Sequence, residues 1–252
     1  HPLTLPLRLA DEVFAKTIAM ITAPALAARR HQLAYLAQAV MSEASEQGLR
    51  PEHEDRFVNM RVELAGIRHG RGRLMLVADG TGGGLAATTV QQFFLRTFSR
   101  ALTATGGDVD AAFRRTFRAL NRMTRRMYAG TTVSAVYVPD DQARAYVAVL
   151  GDSPVIVRDH RGRVVVSPEH NVRSNLAERE AGARRGATFD LYDGQPSYLK
   201  DPEIPTFPGV QMTRVLGLRD VGRVVSREPE LYSVTLGPES VIVVGSDGLT
   251  DP

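Results

Sequence analysis

The sequence predicts an α+β domain in which antiparallel sheets carry packed helices. Short β-branched runs separated by Gly, Pro and Asp recur from about residue 56 to residue 245. Two stretches between them, Leu85 to Thr105 and Val109 to Tyr128, carry apolar residues at three- and four-residue spacings instead. Many antiparallel strands with helices between them indicate sheets with packed helices.

Taken in order, residues 9–47 read as helical with an interruption at Pro24, and Gly48 closes that region. The runs "RFVNMRVEL" and "RLMLVAD" read as strands. The Leu85 helix ends at "TGGD". The Val109 helix sets Phe113, Phe117, Leu120 and Met127 on one side and Arg114, Arg118, Arg122 and Arg126 on the other, which suits either a solvated face or an acidic or phosphorylated partner. Beyond Gly130, "TTVSAVYV", "ARAYVAVLGD", "PVIVRD" and "RVVVSP" read as a four-stranded antiparallel meander. Glu178 to Arg185 reads as a short helix and 186–212 as a long surface loop. "ELYSVTL" and "SVIVVGSD" return to strand.

Composition narrows the chemistry. The 252 residues suffice for a full core. With no cysteine, disulfides, thiolate catalysis and Cys-type zinc sites are excluded. A net charge of +3 does not argue for nucleic acid. Lys16 and Lys200 are the only lysines, so arginine supplies 29 of the 31 basic residues, a skew that fits a GC-rich genome. No run approaches the roughly 18 apolar residues of a membrane span, and "IAMITAPALAA" makes a poor signal peptide. The expected setting is a bacterial cytoplasm.

Carboxylates stand where strands begin or end. Glu54 and Asp55 precede a strand, Asp79 ends one before "GTGGG", Asp152 follows another in "VLGDS", and Asp247 follows a fourth in "VVGSDG". Each alone is an ordinary turn former. Together they would repel strongly unless cations lay between them. Hard oxygen ligands with no thiolate point to Mg²⁺ or Mn²⁺. The glycines after Asp79 allow backbone to come close to a small ligand.

The succession "RPEHED", "VADGTGG", "GTTVSAV", "VAVLGDS", "VSPEHN", "TRVLG" and "VVGSDGLTD" resembles the metal-dependent Ser/Thr protein phosphatase family, type 2C, in the family's order from about residue 42 onward. The resemblance implies a β-sandwich of two antiparallel sheets flanked by helices. A helical N-terminal extension over 1–41 would precede a phosphatase-like domain over 42–252. It also implies a site. Asp79 would bridge two Mg²⁺ or Mn²⁺ ions, the Gly80 carbonyl would bind one of them, and Asp247 would hold the other. Glu54 and Asp55 would act mostly through metal-bound waters. Asp152 would belong to a third, weaker metal position seen in many members. Arg50 would grip the substrate phosphate with its planar guanidinium. Two cations sharing Asp79 would lower the pKa of a bridging water so that it attacks phosphorus in line. The loop at 186–212 would be the flap beside the cleft.

The sequence departs from the family pattern in three places. Thr81 stands where some members have a proposed acid histidine, and Pro154 ends the "GDSP" motif. The helix and closing strand that usually follow the "SDGLTD" motif, with their metal-binding aspartate, do not occur in the sequence. The expected activity is hydrolysis of phosphoserine and phosphothreonine in protein substrates, with a cognate Ser/Thr kinase as a further expected partner. The alternative is a catalytically weak phosphatase-like module that binds phosphoproteins or regulates a kinase. Nucleic acid and membrane are not expected partners.

Overall fold

The structure, a computed structural model, describes residues 18–22, 40–45 and 52–249. Its strands are β1 (Ile18–Thr22), β2 (Val40–Ala44), β3 (Arg56–Glu63), β4 (Arg71–Ala78), β5 (Gly80–Thr81), β6 (Gly130–Thr131), β7 (Val133–Pro139), β8 (Arg144–Leu150), β9 (Val155–Arg158), β10 (Val164–Val166), β11 (Thr188–Tyr192), β12 (Gln195–Lys200), β13 (Leu216–Gly217), β14 (Glu230–Thr235) and β15 (Val241–Gly245). The helices are α1 (Leu85–Ala104), α2 (Val109–Thr124) and α3 (Leu176–Arg184). Sheet one has the order β14-β8-β7-β4-β3 and sheet two the order β10-β9-β15-β1-β2.

The alternation of side chains along β4, β7 and β8 builds two cores from one sheet. Met75, Val77, Val136, Val138, Val147 and Val149 face sheet two and meet Val155, Val157, Ile242 and Val244. Leu74, Leu76, Ala135, Tyr137, Ala148 and Leu150 face the other way, against Phe94 and Phe98 of α1 and Phe113 and Phe117 of α2. Burial on both faces explains why these strands read as nearly unbroken apolar runs. The α2 start is capped by the Asp108 carboxylate, which accepts from the Ala111 N–H at 3.0 Å. The buried Tyr137 ring places its hydroxyl on the His69 carbonyl at 2.5 Å, so the one polar atom it carries inward is satisfied.

Three expectations are corrected. The helical reading of 9–47 gives way to strand in its described part, Ile18–Thr22 and Val40–Ala44. β1 is hydrogen-bonded to β15 on one side and β2 on the other, inside sheet two. The "IAMIT" of β1 is short and rich in β-branched residues, and two flanking ladders outweigh its local helical period. The remainder of 1–41 lies outside the described residues. The four-stranded meander is split: β7 and β8 pair in sheet one, and the chain then crosses to sheet two through Gly151–Pro154 before β9 and β10. The stretch 186–212 is not all loop. β11 and β12 form a hairpin across Asp193 and Gly194, both with positive φ (52° and 74°), as an Asp-Gly turn requires. A small third core under it joins Val172, Leu199, Val215 and Val224.

Candidate metal centre

Antiparallel pairing brings Glu54, Asp55, Asp79, Asp152 and Asp247, among the expected residues, to one end of the sandwich. Arg56 at the start of β3 pairs with Ala78 at the end of β4, so Glu54 and Asp55 arrive beside Asp79. Leu150 pairs with Val133, and Val155 with Val244, so Asp152 and Asp247 leave their strands at the same end.

Asp79 is held by its backbone. Its N–H donates to the Thr132 hydroxyl at 3.2 Å, and its carbonyl accepts from the Thr132 N–H and the Thr131 hydroxyl, each at 2.9 Å. The Thr132 hydroxyl lies 2.6 Å from that of Ser153, and Ser134 donates to the Ser153 carbonyl at 2.6 Å. These four hydroxyl residues are buried and tie the loop after β4 to the loop after β8. The "GTT" and "GDS" motifs therefore supply scaffold around Asp79 and Asp152, a role the sequence reading did not assign.

Gly80 has a steric reason to be glycine. A Cβ there would sit 2.8 Å from the Glu54 carbonyl oxygen and 2.9 Å from the Glu54 Cβ. The glycine lets the Glu54–Asp55 turn close over the end of β4. Arg56 locks that turn, donating from Nη1 to the carbonyls of His53 and Asp55, both at 2.7 Å, and from Nε to Thr88 of α1 at 3.1 Å. Asp55 also accepts from the Ser246 hydroxyl at 2.8 Å, which joins it to the end of β15.

Asp152 and its turn are fixed by the "PEHN" segment. Asn171 donates to the Asp152 carboxylate at 2.8 Å. His170 is fully buried. Its Nδ1 accepts from the Gly151 N–H at 3.1 Å, and its Nε2 faces the Glu230 carboxylate at 3.2 Å, so the ring carries its proton on Nε2. Burial and the nearby Arg214 push the His170 pKa down, which keeps it neutral. Gly151 has φ +113° and its Cβ would meet Thr132 at 2.6 Å, so no other residue fits there.

The electrostatics are those of crowded acids. Burial, then the neighbouring Asp247 and Asp55, push the Asp79 carboxyl well above its ordinary range, and Asp247 hydrogen-bonds to it. Burial raises Asp152 to about 6 against the opposing Asn171 bond, with Asp247 adding to the rise. Asp55, Asp152 and Asp247 thus all act on Asp79, and Glu54 packs by its backbone against Gly80. Arg50 lies outside the described residues. Among the described residues no three His, Asp or Glu side chains are gathered into a set that could hold an ion unaided. The donors nonetheless fit a hard divalent cation in kind, being all oxygen, and the strain of like charges is what such an ion relieves.

The family profile described as protein phosphatase 2C matches residues 41–252. The chain belongs to the protein phosphatase 2C family. Members are generally Mg²⁺- or Mn²⁺-dependent protein phosphatases. Solved structures agree on the fold. A "C.elegans sex determining protein" superposes with TM-score 0.67 at 22% identity, over 81% of this chain and 50% of that one, so this chain spans half of its length. The serine-threonine phosphatase 2C from Toxoplasma gondii gives 0.63 at 20% identity, over 81% and 76%. The S. agalactiae serine/threonine phosphatase gives 0.50 at 20% identity, over 80% and 76%. A comparison with curated protein sequences finds no match. Among the described residues no helix is long and apolar enough to cross a membrane.

Proposed function

We propose that this protein phosphatase 2C member hydrolyses phosphoserine and phosphothreonine in protein substrates with the help of Mg²⁺ or Mn²⁺. The observation that carries this reading is the strand pairing that delivers Asp55, Asp79, Asp152 and Asp247 to one end of the sandwich. Asp79, Asp247 and the Gly80 carbonyl would hold the cations, with Glu54 and Asp55 ordering their hydration and Asp152 serving a further position. Bound there, the cations supply the positive charge and Lewis acidity that phosphate ester hydrolysis needs.

The protein's own residues do the rest. Thr131, Thr132 and Ser153 keep the Asp79 and Asp152 turns in register, so the carboxylates need little rearrangement on binding. Arg56 holds the Glu54–Asp55 turn against α1. Arg50 would orient the substrate phosphate as a bidentate donor.

A second reading has one observation in its favour. The absence of a ready three-ligand set among the described residues suits a phosphatase-like module that binds phosphoproteins without turnover. One experiment separates the two. A phosphothreonine peptide is incubated with the full chain, with and without Mn²⁺, and phosphate release and melting temperature are both recorded. Mn²⁺-dependent release with a raised melting temperature supports the enzyme. Release that survives EDTA overturns the metal mechanism, and peptide binding without release favours the module.

A further inference from the structure

The charge of this protein is unevenly placed. Residues 85–128, which form α1, α2 and the turn after them, hold eight arginines and two aspartates, net +6, against +3 for the whole chain. The rest of the molecule is therefore net negative. Six of those arginines crowd α2 and its end: Arg114, Arg115, Arg118, Arg122, Arg125 and Arg126, all exposed. Among the described residues the ion pair on this face is Arg118 with Glu228, at 3.9 Å and largely in solvent, where it holds little energy.

This face leads to the candidate metal centre. α1 begins immediately after Gly84, and α2 runs back toward the same end before Gly130–Thr131 pairs with Gly80–Thr81. A Cβ on Gly82 would lie 3.9 Å from the Ala129 Cα and 4.0 Å from the Tyr128 carbonyl, so the end of the basic tract touches the glycine turn after Asp79. Tyr128 is 63% exposed, and the Arg219 guanidinium, ion-paired with Asp220 at 3.4 Å, covers its ring at 3.5 Å.

We infer that the arginine face of α2 is a substrate-docking track that selects phosphoproteins with an acidic tract beside the phosphorylated residue. This inference rests on the phosphatase reading and names its substrate class. Arg114 to Thr124 spans about 15 Å of helix, which matches about five residues of extended peptide. Arginine forks grip carboxylates and phosphate groups bidentately, so glutamate, aspartate or further phosphoresidues all satisfy the track. A peptide suits it better than single-stranded nucleic acid, which depends on free aromatic faces for stacking; Tyr128 already has a guanidinium on its ring.

The test compares two phosphothreonine peptides with one core sequence, flanked on both sides by five glutamates or by five glutamines. With Mn²⁺ and low salt, the full chain should show kcat/KM about tenfold or more higher for the glutamate peptide, mainly through KM. At 0.5 M NaCl the preference should shrink. The triple variant Arg118→Gln, Arg122→Gln, Arg126→Gln should bring the ratio of the two peptides near one, while the corresponding lysine triple should retain most of it. A wild-type ratio near one, or a ratio unchanged by the glutamine triple, overturns the inference. So does an RNA 20-mer that displaces the glutamate peptide at lower concentration than polyglutamate does. If neither peptide is hydrolysed, the phosphatase reading fails and fluorescence anisotropy decides the docking alone: tighter binding of the glutamate peptide, lost in the glutamine triple, sustains it, and equal binding of the two sinks it.

Discussion

The hydroxyls of Thr132 and Ser153 lie 2.6 Å apart in a buried contact that joins the turn carrying Asp79 to the turn carrying Asp152. Thr132→Val removes this contact and leaves the Asp79 N–H without its hydroxyl acceptor. The expected cost is about 1–3 kcal/mol of stability, together with weaker Mn²⁺ binding. Thr132→Ser keeps the oxygen and should recover most of both. Urea unfolding with and without Mn²⁺ measures this, and a Val variant as stable as wild type contradicts the scaffold role.

Asp79→Asn should abolish phosphate release while making the metal-free protein more stable. The carboxyl is raised by burial first and by Asp247 and Asp55 next, so its charge opposes folding near neutral pH. Neutralising it should raise the metal-free melting temperature by about 2–5 °C and remove the further rise that Mn²⁺ gives. A lower metal-free melting temperature would show that the crowding is not a source of strain.

Gly80→Ala places a methyl group within 2.8 Å of the Glu54 carbonyl. Backbone on both sides resists, so a loss of about 1–3 kcal/mol is expected, and the displaced Glu54–Asp55 turn should lower activity more than stability. Calorimetry and phosphate release on one preparation test both halves. Full activity in the alanine variant would mean that the turn need not close on β4.

The pH dependence of stability should carry a signature of Glu178. This carboxylate is largely buried, which alone would raise its pKa, but Arg214 at 2.5 Å and the Thr213 hydroxyl at 2.8 Å outweigh burial and lower it. A lowered folded-state pKa contributes stability above the ordinary glutamate range, and that contribution is lost as pH falls through the depressed value. Glu178→Gln should cost about 1.5–3 kcal/mol at pH 7 and flatten the fall in melting temperature below pH 5. Parallel acid limbs for variant and wild type would exclude the pair as their source.

The elements flanking the site were legible because their signals are local. The period of α1 and α2, the runs of β4, β7 and β8, and aspartates at strand ends all survive in the primary sequence. What held those aspartates was not legible. The Thr132–Ser153 and His170–Gly151 contacts join motifs about 20 residues apart through buried polar atoms, and nothing in a serine or histidine announces its partner. The Asp193–Gly194 hairpin was readable in principle, since Asp-Gly between "TFDLY" and "QPSYLK" is a standard turn signal, but the surrounding Gly and Pro residues masked it. β1 misled for the opposite reason. Five residues carry too little period to separate strand from helix, and only pairing with distant partners decides.

That pairing bears on the order in which the molecule assembles. Every strand of sheet one comes from residues 56–235, and its most distant pairing, β8 with β14, reaches from Arg144 to Thr235. Sheet two has β1 at its interior, with Ile18 opposite Gly245, so its closure joins segments from nearly opposite ends of the sequence. Such a loop is entropically the slowest to close. Sheet one and its helices should therefore protect their amides first on refolding, and sheet two later. Because β15 runs straight into Ser246 and Asp247, the acidic end of the sandwich should acquire its cation affinity only in that late phase.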